Sequence, residues 1–202
     1  MDLLEYQGKQ LFARHGVPVP SGSPADTVEK AVAAAEQIGY PCVIKAQVQI
    51  GGRGKAGGIK VAENRDEATE HAEAILGMEI RGPRGEGPFT VHEVWVERAS
   101  EIDSEYYASI ILDRSEKKLL AMLSTMGGMN VEEIAEKDPD ALVRRYVDPH
   151  KDFGEPDAAA LAADAGVDED VRVKTASLLA KLYDAFNAED ATLIEVNPLV
   201  VT

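Results

Sequence analysis

Apolar positions recur along this chain at two spacings, every three to four residues in some segments and alternating or contiguous in others, so both helices and strands are expected. Leu3, Leu4, Leu11 and Phe12 fall near one face at helical spacing, which predicts an amphipathic helix from Leu3 to His15 with Gly16 just past its end. Val17-Pro18-Val19-Pro20 cannot continue it, because proline lacks an N–H and disfavours helical geometry in the residue before it. Asp26 with Glu29 three residues later is a capping-box pattern and predicts a helix through Ala31, Val32, Ala35 and Ile38 that stops at Gly39. Pro41 to Gln47 reads as a buried strand, and Gly58-Ile59-Lys60-Val61 as a β-like run returning from a glycine-rich hairpin. Asn64 and Glu67 repeat the capping device ahead of Ala68, Ala72, Ile75 and Leu76, with Gly77 as the stop.

The second half changes character. Residues 81–88 combine three glycines with two prolines and predict a loop. Thr90 to Glu97, Tyr106 to Leu112 and Lys118 to Ser124 are β-rich runs with short polar connections, expected to form one antiparallel group. Pro156 to Ala165 and Asp168 to Phe186 read as helices, the latter with Ala176, Leu179, Leu182, Tyr183 and Phe186 as a core-facing stripe. Ala191 to Val196 reads as the last strand. A length of 202 residues suits one domain with two lobes.

Charge narrows the ligands. With 21 Lys and Arg against 36 Asp and Glu the net charge is -15, a field that repels nucleic-acid backbones and anionic membranes. An anionic ligand must then be held by a few local cations and backbone N–H groups. Cys42 is the lone cysteine, so no intrachain disulfide forms, and beside a proline in an apolar run it reads as core. The first five residues carry two acids and no signal-peptide pattern, and no apolar run approaches the ~18 residues of a membrane span, so a soluble cytoplasmic protein is expected.

Four segments carry candidate chemistry. Residues 51–58, with five glycines, Arg53 and Lys55, let backbone N–H groups close on an anion. The segment breaks the P-loop pattern at Gln49 and Ala56 and is followed by a β-like run rather than a helix. It reads either as a flap over phosphates or as a solvated turn. Lys45 lies among apolar residues, where it needs a partner such as phosphate unless it snorkels to water. The acids from Glu97 to Glu105 follow an apolar strand and either meet ribose hydroxyls or form a solvated turn. Glu195 and Asn197, two apart on the final strand, offer oxygen donors to a hard cation such as magnesium, or are a lone acid and a turn Asn before Pro198. The four histidines show no metal spacing.

In order along the chain, Leu4-Glu5-Tyr6-Gln7-Gly8-Lys9-Gln10-Leu11-Phe12, Val43-Ile44-Lys45-Ala46-Gln47-Val48, the glycine segment at 51–58 and Ile194-Glu195-Val196-Asn197-Pro198-Leu199 resemble the β subunits of ADP-forming succinyl-CoA synthetases. The resemblance runs from residue 2 to the end. It implies an α/β ATP-grasp fold of two α+β lobes, about 21–99 and about 1–20 with 100–202, holding nucleotide between them. It further implies ATP and Mg²⁺ as cofactors, with Lys45 on the phosphates and Gly52, Arg53 and Gly54 as phosphate flap. Glu97, Ser100 and Glu105 would line the base and ribose side, and Pro20 matches a position where ATP-preferring members tend to carry proline. Asn197 would ligate magnesium, and Glu195 would assist phosphoryl exchange with a histidine of a partner α subunit. The sequence departs from the pattern at Met126, where relatives commonly carry Glu. It also ends before the family's second magnesium-ligand Asp and its carboxy-terminal ligase domain, so an ATP-grasp half is expected. A related ligase for another acyl group such as malate, or a nucleotide-binding module without turnover, would share these motifs.

Overall fold

The computed structural model describes residues 2–83, 85–148 and 150–202. Arg84, inside the expected loop at 81–88, lies outside them. The chain divides into two compact units, one of Met1–Leu11 with Val19–Ser100 and another of Phe12–Pro18 with Glu101–Thr202. The opening helix α1 (Glu5–Arg14) therefore contributes residues to both.

In the first unit the strands β1 (Gly22–Ala25), β2 (Cys42–Ala46), β3 (Ile59–Ala62) and β6 (Val94–Arg98) form an antiparallel sheet in the order β1-β6-β2-β3. The glycine segment does join two antiparallel strands, β2 and β3, as the sequence predicts. Helices α2 (Val28–Ile38) and α3 (Arg65–Ile75) supply Ala31, Ala35, Ala68, Ala72 and Ile75 to a core shared with Cys42, Ile44, Val94 and Val96. Alternation then sends Lys45, Trp95 and Glu97 to the opposite face of the sheet, where the register pairs Lys45 with Trp95 and Val43 with Glu97. Two short strands, β4 (Glu79–Ile80) and β5 (Phe89–Thr90), pair with each other.

The cap of α3 matches its sequence signature: Asn64 accepts from the Glu67 N–H at 3.0 Å, and Glu67 reaches back to the Glu63 N–H at 2.9 Å. The cap of α2 lies one residue later than the pattern predicts. Thr27 accepts from the Lys30 N–H at 3.3 Å, while Asp26 pairs with the Lys30 ammonium at 2.7 Å.

In the second unit β7 (Ser104–Asp113), β8 (Lys118–Ser124), β9 (Val143–Val147) and β10 (Leu193–Val201) form an antiparallel sheet in the order β10-β7-β8-β9. The expected grouping of three consecutive β-rich runs is corrected here. The run Thr90 to Glu97 breaks into β5 and β6, and β6 pairs with β2 in the first unit, leaving β7 and β8 to pair with each other. Helices α4 (Val131–Lys137), α5 (Glu155–Asp164) and α6 (Glu169–Ala188) complete the unit, and the expected stripe Ala176, Leu179, Leu182, Tyr183 and Phe186 is buried. Among the described residues no helix is long and apolar enough to cross a membrane. Cys42 is buried in the core, and burial pushes its thiol above the ordinary value.

Candidate functional site

The face of the first sheet opposite α2 and α3 carries a compact charge cluster. Glu5 and Lys9 lie one helical turn apart on α1 and pair at 2.8 Å. Lys45 bridges Glu5, at 3.2 Å, and Glu97. Lys9 also pairs with Glu97, which in addition accepts from Trp95 Nε1 at 2.6 Å. Arg53 folds back from the glycine segment to Glu5 Oε2 at 2.7 Å and donates to the Ala46 carbonyl at 2.9 Å. Three cations against two carboxylates leave the cluster one positive charge in a chain of net charge -15. Tyr6 stacks on Trp95 with ring centroids 5.9 Å apart, and buried Gln47 accepts from the Tyr6 N–H at 3.1 Å, so the start of α1 is fixed over this face.

Lys45, a cation among apolar residues that needs a partner, meets Glu5 and Glu97 here, because α1 folds over β2. The glycine segment is an exposed run of turns tied by its own backbone, one of the two forms the sequence allows. Ala56, Gly57 and Gly58 donate to the carbonyls of Gly52, Gly54 and Arg53 at 3.2, 3.0 and 2.8 Å. Gly52 and Gly54 remain exposed while the Arg53 side chain is tucked in at 18% exposure. Gly58 marks the close approach: a Cβ there would come within 2.8 Å of Ile80 Cδ1 and 3.1 Å of Ala46 Cβ.

The electrostatics follow from this crowding. Burial alone would raise the Glu5 carboxyl, but Lys45, then Arg53, then Lys9 override it and hold it well below the usual carboxylate range. Burial likewise would lower the Lys45 ammonium, and Glu5 and Glu97 raise it above its ordinary value. A depressed carboxylate contributes stability that is present above its unfolded value of about 4.3 and is lost as pH falls through that value towards the folded one. The melting temperature of the wild-type chain is therefore expected to drop more steeply below about pH 5 than that of Glu5→Gln. Parallel curves would mean that Glu5 is not held by these cations in solution.

In the second unit the residues gather around Gly127 and Gly128. Asn197 Oδ1 accepts from the Gly128 N–H at 3.0 Å and its Nδ2 donates to the Met129 carbonyl at 2.8 Å. A Cβ at Gly127 would strike the Tyr106 backbone, and the Glu105 carboxylate fills the space that a side chain at Gly128 would need. Met126, at the departure from the resemblance, packs against the core around Tyr107 and Ile134. A register shift between Val196 and Leu199 interrupts the β10–β7 ladder where Asn197 turns towards this segment. Glu195 is exposed as a residue, yet loss of water around its carboxyl raises it above the ordinary value, with Glu132 adding to the rise and hydrogen bonds from Asn197 and Tyr107 opposing it.

The donor set fits magnesium in part. Asn197 Oδ1 keeps a second lone pair, and the Glu195 carboxylate stands beside it, two hard oxygens for an ion that fills its remaining positions with water and phosphate. Among the described residues no trio of His, Cys, Asp or Glu could hold a metal by itself.

The structure thus brings Lys45, Arg53 and Glu97 together in the first unit, and in the second it sets Glu105 and Asn197 around Gly128 with Glu195 bonded to Asn197. Ser100 is exposed at the end of the first unit, and Pro20 is half-buried in the segment before β1. Sequence reasoning gave no role to Glu5 and Lys9, whose four-residue spacing was the available signal, nor to Trp95 and Tyr107.

Curated relatives match the chain over its whole length. The chain is 51% identical over all its 202 residues to a protein of Natronomonas pharaonis named succinate–CoA ligase [ADP-forming] subunit beta, and 46% identical to one of the same name from Halorubrum lacusprofundi. It spans about half the length of these relatives, 52% and 51%. Among solved structures it resembles a dinucleotide-forming acetyl-coenzyme A synthetase of Ca. Korarchaeum cryptofilum, with a TM-score of 0.75 at 20% identity over 98% of this chain and 86% of that one. It also resembles an ATP citrate lyase of Methanothrix soehngenii, with a TM-score of 0.72 at 19% identity over 100% of this chain and 47% of that one. At these identities the likeness concerns the fold. The model of the ATP-grasp domain matches residues 2–201, which is nearly the whole sequence, and the chain belongs to the ATP-grasp family.

Proposed function

We propose that this chain is the nucleotide-binding half of the β subunit of an ADP-forming succinate–CoA ligase in the cytoplasm. Partnered with an α subunit, it binds Mg-ATP and exchanges a phosphoryl group reversibly with an α-subunit histidine. That exchange drives interconversion of succinate and succinyl-CoA in the tricarboxylic acid cycle. The observation that carries the reading is the β2–β3 hairpin, which returns Arg53 to Glu5, the carboxylate that Lys45 also meets, in an otherwise strongly acidic chain.

Phosphoryl transfer needs positioning and charge neutralisation more than covalent chemistry from the protein. Lys45 and Arg53 neutralise the phosphates, and Gly52 and Gly54 let the loop backbone approach them without side chains in the way. Glu97, Ser100 and Glu105 line the base and ribose side, Glu97 holding Lys45 in place as well, and Pro20 belongs to the preference for ATP over GTP. Asn197 Oδ1, with Glu195 beside it, would hold magnesium, whose charge offsets that of the phosphates when bound. The exposed Glu195 carboxylate accepts a hydrogen bond from the incoming histidine and so orients it. The nucleophile comes from the partner.

The test is transfer of label from γ-labelled ATP to a separately prepared α subunit, read as an acid-labile phosphohistidine. Labelling that needs this chain, and that is weaker with GTP, is the expected result. No labelling with either nucleotide, in a preparation shown to bind Mg-ATP, would leave a nucleotide-binding module and remove the ligase assignment.

A further inference from the structure

Glu5 stands where the proposed function needs phosphate. It is the shared carboxylate of Lys9, Lys45 and Arg53, and its side chain is 19% exposed. Its links are unequal. The pair with Lys9 is local to α1, whereas Oε2, although 2.7 Å from Arg53, has no hydrogen-bond geometry there, so that contact is held by charge rather than direction. A triphosphate arriving at Lys45 and Arg53 would meet Glu5 as a like charge in a partly desolvated setting, which is costly.

We propose that the Glu5 carboxylate is a built-in placeholder for nucleotide phosphate, and that binding exchanges Glu5 for phosphate on Lys45 and Arg53. Glu5 thereby sets nucleotide affinity. The inference rests on the nucleotide-binding reading above. Protonation does not remove the repulsion near neutral pH, because the three cations hold the carboxyl well below the usual range, so the side chain itself must leave. It leaves with Lys9 as its remaining counter-charge, while Glu97 keeps Trp95 and its own lysine contacts. Arg53 loses its carboxylate partner with it while its bond to the Ala46 carbonyl remains, and the exposed glycine segment closes on the phosphates only after this exchange.

Apparent affinity scales with the fraction of molecules whose cations are available, so Glu5→Gln is expected to bind both Mg-ATP and inorganic tripolyphosphate on the order of tenfold more tightly than wild type by calorimetry. In the same series Lys45→Ala weakens both ligands. Unchanged or weaker binding by Glu5→Gln, with Lys45→Ala still weakening the wild type, overturns the placeholder and leaves the nucleotide reading standing. If neither ligand binds to wild type or to Glu5→Gln, the nucleotide reading fails and the placeholder with it. Should Glu5→Gln not fold, the wild-type chain carries the test through the carboxyl ¹³C resonance of Glu5. Its titration midpoint should move up towards the ordinary glutamate value when tripolyphosphate is bound, and an unmoved midpoint in the bound state overturns the proposal.

Discussion

Replacing Glu97 by Ala is expected to destabilise the protein by about 3 to 5 kcal/mol, the range for removing one partner from a buried ion pair. Glu97 is 4% exposed, and its oxygens serve Lys9, Lys45 and the Trp95 indole. Without it two ammonium groups share Glu5 alone, and the Trp95 N–H loses its acceptor. The cost lies in the uncompensated charge and the unsatisfied donor more than in the attraction lost. Trp95 itself stays packed between Tyr6 and the bare backbone of Gly22, so its ring still reports on the folded state. It is also the single tryptophan, which lets urea unfolding followed by its fluorescence read this cluster directly. Glu97→Gln keeps the shape and one acceptor oxygen and should be milder. A loss below about 1 kcal/mol for Glu97→Ala would mean that the cluster behaves as an exposed surface pair.

That cluster shows what a sequence discloses and what it withholds. Lys45 was conspicuous because a cation in an apolar run demands an explanation, and Glu97 because it ends one. Alternation along β2 and β6 places both on one face, which local pattern alone can supply. Their partners could not be read the same way. Glu5 and Lys9 have the spacing of an ordinary helix-surface pair, and nothing local says that the start of α1 folds over a strand forty residues away. Strand β1 was missed because Gly22-Ser23-Pro24-Ala25 has little β-propensity, and it exists as an edge strand by pairing with β6. Helix α4 buries only Ile134, and β9 carries Arg144 and Arg145, so neither shows the apolar periodicity of a core element. The grouping of β6 with later strands failed for a related reason, since propensity identifies a strand without naming its neighbour. In the second unit Glu195 and Asn197 were legible as oxygen donors two apart. The clamp of Asn197 on Gly128 was not, because it depends on backbone groups that every sequence possesses.

The largest expected effect on ligand binding falls at Lys45. Lys45→Ala should weaken Mg-ATP binding by about 1.5 to 3 kcal/mol, the worth of a charge-assisted hydrogen bond, which is roughly a 10- to 150-fold rise in Kd. The loss has two sources. Phosphate loses a cation that β2 holds in a fixed position, and Glu5, with one lysine fewer to share, turns more firmly to Arg53 and keeps the second cation from the ligand as well. The second source vanishes when Glu5 is also neutralised, so Lys45→Ala should cost less in the Glu5→Gln background than in wild type. Lys45→Arg is not a neutral control, because its wider fork changes how both Glu5 and Glu97 are met. Calorimetric titration with Mg-ATP checks the affinity, and circular dichroism on the same samples checks that each variant is folded. A folded Lys45→Ala chain with an unchanged Kd would reduce Lys45 to a structural counter-ion of Glu5 and Glu97, and would move the phosphate contact away from β2 altogether.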